Sequence, residues 1–164
     1  MTDLPVARRV ARSGSWQRAA DRVALDYAAR RLRRARLRTE GGLAFRAELP
    51  EIARLEEGDA FALEDGRLVE VLAAPEALFS VTGDLRLVAW HLGRHRVPCE
   101  IGAKRLTIRR EARLKPILEG LGARVVEADG QFRPLGSTEA AQVRHHGAHH
   151  HLAGEDGPGP GEEA

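Results

Sequence analysis

Thr82-Gly83-Asp84-Leu85-Arg86-Leu87-Val88-Ala89-Trp90-His91-Leu92-Gly93-Arg94-His95-Arg96-Val97-Pro98 is where the chain changes its period. Upstream, apolar and polar residues alternate as they do in strands. Within this stretch Leu85, Val88, Ala89 and Leu92 recur at helical spacing. Oxygens around Thr82-Gly83-Asp84 can cap the first turn, and Val97-Pro98 ends the run, because a residue before proline avoids the α region. The stretch therefore predicts a short amphipathic helix. His91 and His95, four residues apart, fall on one face of it, one turn from each other.

Downstream and upstream of that helix the pattern predicts an α+β chain. Leu78–Val81, Cys99–Ile101, Leu106–Ile108 and Ala123–Glu127 read as short strands. A second helical period runs through Leu114, Ile117, Leu118 and Leu121. It starts near Arg113, because Pro116 fits only a first turn, and Gly122 stops it. The order β-α-β-β-α-β over residues 76–134 is that of a ferredoxin-like module. Residues 20–74 read as a small β-domain. Val23, Leu25 and Tyr27 alternate with polar neighbours, and Ala35 and Leu37 alternate with Arg34, Arg36 and Arg38 to give a strand with one basic face. Leu43, Phe45, Ala47 and Leu49 form the next run, stopped by Pro50. Phe61–Leu63 and Leu68–Leu72 flank a hairpin turn at Glu64-Asp65-Gly66. Residues 1–19 read as an irregular extension and Ala73-Ala74-Pro75 as the linker. Residues 135–164 read as a disordered His-rich tail, too poor in apolar residues to offset the entropy of ordering.

Composition narrows the function. The net charge of +2 on 164 residues argues against a general nucleic-acid binder. The single cysteine excludes an internal disulfide and a four-cysteine zinc site, and it fits a reducing compartment. The start of the chain is basic without a continuous apolar run, so neither a Sec nor a Tat signal is expected. No apolar run approaches the length of a bilayer span. The expectation is a cytoplasmic protein that binds neither membrane nor nucleic acid.

All seven histidines stand in two places: His91 and His95 on the helix, and His145, His146, His149, His150 and His151 in the tail. Imidazoles one helical turn apart can grip a single transition-metal ion, although two are too few for a closed tetrahedral site. The competing reading is a surface histidine plus a helix C-cap favoured by the dipole. The tail tract is a compositional metal-binding signal. A purification tag fits it poorly, since the run is interrupted and thirteen residues follow it. The arginine run Arg30–Arg38 reads as a solvated or partner-facing strand, and Cys99 as core packing. No catalytic constellation stands out.

In this order the pieces resemble the UreE family of urease accessory proteins, which are nickel metallochaperones. The carriers are Trp90-His91-Leu92-Gly93 with Val97-Pro98, Leu118-Glu119-Gly120-Leu121-Gly122 followed by Phe132 and Pro134, the His-rich end, and upstream Leu25-Asp26-Tyr27, Arg33–Leu37, Gly41-Gly42 and Glu64-Asp65-Gly66-Arg67. The resemblance implies an N-terminal β-domain for partner or peptide binding and a C-terminal ferredoxin-like domain for metal binding and dimerisation. It also implies a homodimer in which one histidine per protomer, in a Gly-Asn-Arg-His-x-Pro motif, binds nickel at the interface. The metal, with zinc or copper as alternatives, passes to apo-urease together with a GTPase accessory protein, and no reaction is catalysed. This chain departs from the motif, reading Gly93-Arg94-His95-Arg96-Val97-Pro98. Arg96 stands at the family's histidine, and His95 comes one place early, about 100° around a helix. His95 is expected to be the interface ligand, with His91 as fallback. Arg109 and Arg110 stand where some relatives carry further histidines. The second functional reading is a His-rich metal storage or buffering protein.

Overall fold

In the computed structural model, residues 4–135 are described. Six strands come from the first half: β1 (Val6–Ala11), β2 (Asp21–Leu25), β3 (Arg31–Arg38), β4 (Ala44–Arg54), β5 (Ala60–Leu63) and β6 (Leu68–Ala73). They form one sheet in the order β2-β6-β5-β1-β4-β3. Ala7, Val23, Phe45, Phe61, Val69 and Val71 fill its core, with Phe45 and Phe61 edge to face at 5.3 Å.

The expected irregular extension over residues 1–19 is corrected. Val6–Ala11 is an interior strand, parallel to β4 and antiparallel to β5. Val6 and Ala7 are buried, whereas Arg8 turns out to Glu64 and Glu48. Two adjacent arginines and a register shift between Ala7 and Arg9 hide the alternation. Pro50 likewise does not stop its strand, because β4 runs through it to Arg54. The register between β3 and β4 shifts between Leu32 and Arg34, which pair with Ala53 and Glu48. Pro50 thus falls at the bulge, where its missing N–H breaks no ladder bond. Tyr27 lies beyond the end of β2, in the turn that leads to β3.

The second half contains β7 (Pro75–Thr82), α1 (Leu85–Arg94), β8 (Glu100–Ile101), β9 (Leu106–Arg109), α2 (Leu114–Gly120) and β10 (Arg124–Gln131). Its sheet has the order β10-β7-β9-β8 with every neighbour antiparallel. Val88 and Leu92 of α1 and Leu114 and Leu118 of α2 pack on Phe79, Val81, Leu106 and Ile108. The expected linker shrinks to Ala74 alone. Ala73 ends β6 and Pro75 opens β7, a first-residue position that suits proline. The Ala74 N–H is itself tied to the Leu25 carbonyl at 2.9 Å.

The two halves meet around Arg30 and Phe132. Arg30 is only 1% exposed, and its guanidinium donates to the Phe132 carbonyl. The Phe132 ring meets Tyr27 edge to face at 5.3 Å. The Tyr27 N–H donates to Glu76 at 2.8 Å, and Arg133 pairs with Glu57.

Candidate metal site

The site is built on the far end of α1. Asp84 caps the start, its carboxylate accepting from the Arg86 and Leu87 N–H groups at 3.1 and 3.3 Å. Gly83 precedes it with φ 126°, and a Cβ there would lie 3.2 Å from the Ala123 backbone. This is one of the few places where only glycine fits. Val88 and Leu92 anchor the inner face, which turns His91 and His95 outward.

At the C-terminus His95 is the capping residue, with φ −92° and ψ 7°. The Arg96 N–H then donates to the Gly93 carbonyl at 3.0 Å, and the Val97 N–H to the Leu92 carbonyl at 2.9 Å. That pair of bonds is a Schellman closure, and it holds the residue after the cap in the left-handed region. Here that residue is Arg96, with φ 55°. The helix stops at Arg94, three residues before Val97.

This terminus brings the two helix histidines together. Their ring centroids are 4.6 Å apart, with the planes tilted by 44°. A ligand nitrogen sits about 2.0–2.1 Å from zinc-like ions, so one ion can reach both rings. His95 is exposed and His91 half-buried, and the pair opens to solvent. Beside it Trp90 is 60% exposed and Leu87 40%, and the Arg94 guanidinium lies 5.4 Å from the Trp90 ring.

Among the described residues no group of three or more His, Cys, Asp or Glu side chains gathers around a common point. The described part of one chain therefore offers two imidazoles, and further ligands must come from water, another copy or residues beyond 135. His145, His146, His149, His150 and His151 lie outside the described residues. Burial pushes the Cys99 thiol up, away from the thiolate form that binds metal, and the side chain packs against the core of the second half. Arg110 is committed elsewhere, to the carbonyls of Leu78 and Ala128 and to Glu127 and Asp129. Sequence reasoning missed the buried Arg30 and its carbonyl partner, because nothing local distinguishes it from the exposed arginines that follow.

Two family profiles match the chain. The profile for the N-terminal domain of the UreE urease accessory protein covers residues 5–74, and that for its C-terminal domain covers residues 71–157. The chain belongs to the UreE family of urease accessory proteins. It is similar to the urease accessory protein UreE of Rhodobacter capsulatus, at 51% identity over 128 residues, which are 78% of this chain and 82% of that protein. It is 49% identical to that of Cereibacter sphaeroides over 137 residues, 83% and 75% of the two chains. The Ruegeria pomeroyi protein is 45% identical over 148 residues, 90% of this chain and 99% of that one. Membership places this chain in urease maturation, in an accessory chaperone family and outside the enzymes. Among the described residues no helix is long and apolar enough to cross a membrane.

Proposed function

We propose that this chain is a nickel metallochaperone that carries the ion as cargo and hands it to apo-urease, together with a GTPase accessory protein, in the cytoplasm. The observation that carries this reading is the close approach of His91 and His95 at the end of α1, in a chain of this family. We read the second half, with its strand order and two helices on one face, as the ferredoxin-like metal-binding and dimerisation domain. The exposed Leu87 and Trp90 beside the pair supply an apolar surface for a homodimer, which brings a second pair of imidazoles to the same place. The tail histidines add ligands for acquisition and transfer, and the first half is left for partner or peptide contacts.

The test is nickel titration calorimetry. Removing residues 136–164 is expected to leave the melting temperature of the remainder unchanged and to reduce bound nickel by about half or more. In that shortened chain, His95→Ala is expected to abolish the remaining site while the dimer survives, and His91→Ala to weaken it less. Unchanged nickel binding in the His95→Ala protein would remove this assignment. Zinc or copper held more tightly than nickel would argue for another cargo. Nickel that is bound but never activates apo-urease would favour storage or buffering instead.

A further inference from the structure

The arginine-rich strand takes no part in the metal reading. β3 is the terminal strand of the six-stranded sheet, and β4 is its one strand neighbour. Its outward edge therefore carries unpaired backbone N–H and C=O groups over Arg31–Arg38. Past that point Thr39 and Glu40 tie the chain to β2, through the Asp21 carboxylate and the Arg22 carbonyl. Leu32 and Leu37 turn toward the core, and Arg34, Arg36 and Arg38 share the opposite face at steps of about 6.8 Å.

The guanidiniums on this face outnumber the carboxylates. Glu48 lies directly across from Arg34, yet it is engaged by Arg8 at 3.5 Å and Arg46 at 3.7 Å. Among the described residues Arg34 and Arg36 make no hydrogen bond or ion pair. Beside the bulge, Ile52 is 59% exposed and adds an apolar foothold at one end of the row.

We propose that the edge of β3 docks an acidic, extended segment of a partner protein, which adds to the sheet as a further strand with its carboxylates on Arg34, Arg36 and Arg38. This rests on the assignment of the first half to partner contacts, and it names the edge and the chemistry. A second copy of this chain is a poor occupant, because pairing β3 with itself sets arginines against arginines. A nucleic acid fits less well than a peptide, since base stacking needs a free aromatic face. The nearby ring, Tyr27, is already covered by Phe132 and by the guanidiniums of Arg30, Arg54 and Arg109. A peptide strand satisfies both the backbone edge and the alternating charges.

The experiment measures fluorescence anisotropy with the full chain and a short fluorescein-labelled peptide alternating glutamate and valine. Saturable binding that weakens with salt is expected. Loss of two charge pairs in Arg34→Glu/Arg36→Glu should weaken it by about tenfold or more. The neutral Arg34→Gln/Arg36→Gln chain, which keeps the size of the side chains, should fall in between. A peptide N-methylated along one edge should fail to bind, since it cannot complete the ladder. Absence of binding, equal affinity in the charge-reversed chain, equal affinity of the N-methylated peptide, or tighter binding of an oligouridylate would each overturn the proposal. Apo-urease binding, followed with the same variants, separates this from the broader reading. A complex that forms unchanged in the reversed chain overturns the β3 edge and leaves the first half a partner domain through another face. Nickel titration of both variants should match that of the unaltered chain.

Discussion

Arg96 follows the cap of α1, directly after the pair of helix histidines. Its left-handed backbone is one that glycine or asparagine adopts readily and that strains a longer L side chain by roughly 1–2 kcal/mol. The strain follows from closing α1 with a Schellman turn, and that closure keeps His95 at the cap, within 4.6 Å of His91. Arg96→Gly should relieve it. Net of the added freedom of the unfolded chain, the gain is expected to be about 0.5–1 kcal/mol, seen as a melting temperature higher by about 2–3 °C. A lower melting temperature would mean that the Arg96 side chain makes stabilising contacts outweighing the strain. At this scale the sequence reveals spacing and hides conformation. The separation of the two histidines is plain from their numbers, whereas an arginine gives no sign of a left-handed backbone. The burial of Arg30 is hidden for a related reason, since its partner, the Phe132 carbonyl, is 102 residues away.

Among the elements, those with a local cause were legible and those with a distant one were not. α1 could be read because its apolar period, its cap and its proline stop all lie within one stretch. The hairpin between β5 and β6 announced itself through Glu64-Asp65-Gly66. β1 stayed hidden because its neighbours, β4 and β5, are supplied from far along the chain, and only they make Val6 and Ala7 interior residues. Pro50 misled because the bulge that accommodates it shows only against the distant partner β3, where Leu49–Ile52 stand opposite the single residue Arg33. The cap of α1 offers a test of how far the element supports the site. Asp84→Ala removes the acceptor for two first-turn N–H groups and should destabilise the chain by about 1 kcal/mol. The histidines sit at the other end, held by the anchored Val88 and Leu92. Nickel affinity of the shortened chain is therefore expected to stay within about twofold, a shift well under 1.4 kcal/mol. A tenfold loss on calorimetry would show that fraying of the first turn travels the length of the helix.

At the scale of the whole molecule, the seam between the halves decides whether partner contacts on one can be felt at the other. One polar tie across it is Glu57 with Arg133, set beside the Tyr27–Phe132 contact. The hydrogen bond from Arg133 holds the Glu57 carboxyl below its usual range, against the opposing effect of burial. A depressed folded value means that the folded chain favours the charged form. The stabilisation is then fully present above the unfolded carboxylate value, about 4.3, and is lost as pH falls through the lower folded one. Arg133 is half exposed, so water screens the pair and its contribution should stay under about 1 kcal/mol. Glu57→Gln isolates it, because every other acid group titrates alike in both proteins. At neutral pH the variant should melt a few degrees lower, by up to about 2–4 °C. That gap should close as the pH drops below about 4, where the carboxyl of the unaltered chain takes up its proton and loses the charge that Arg133 pairs with. A gap that persists undiminished to low pH would assign the effect to the shape of the side chain. Equal melting at neutral pH would mean that the tie is idle, and that the other contacts of the seam, among them Arg30 with the Phe132 carbonyl and Tyr27 with Glu76, hold the halves together without it.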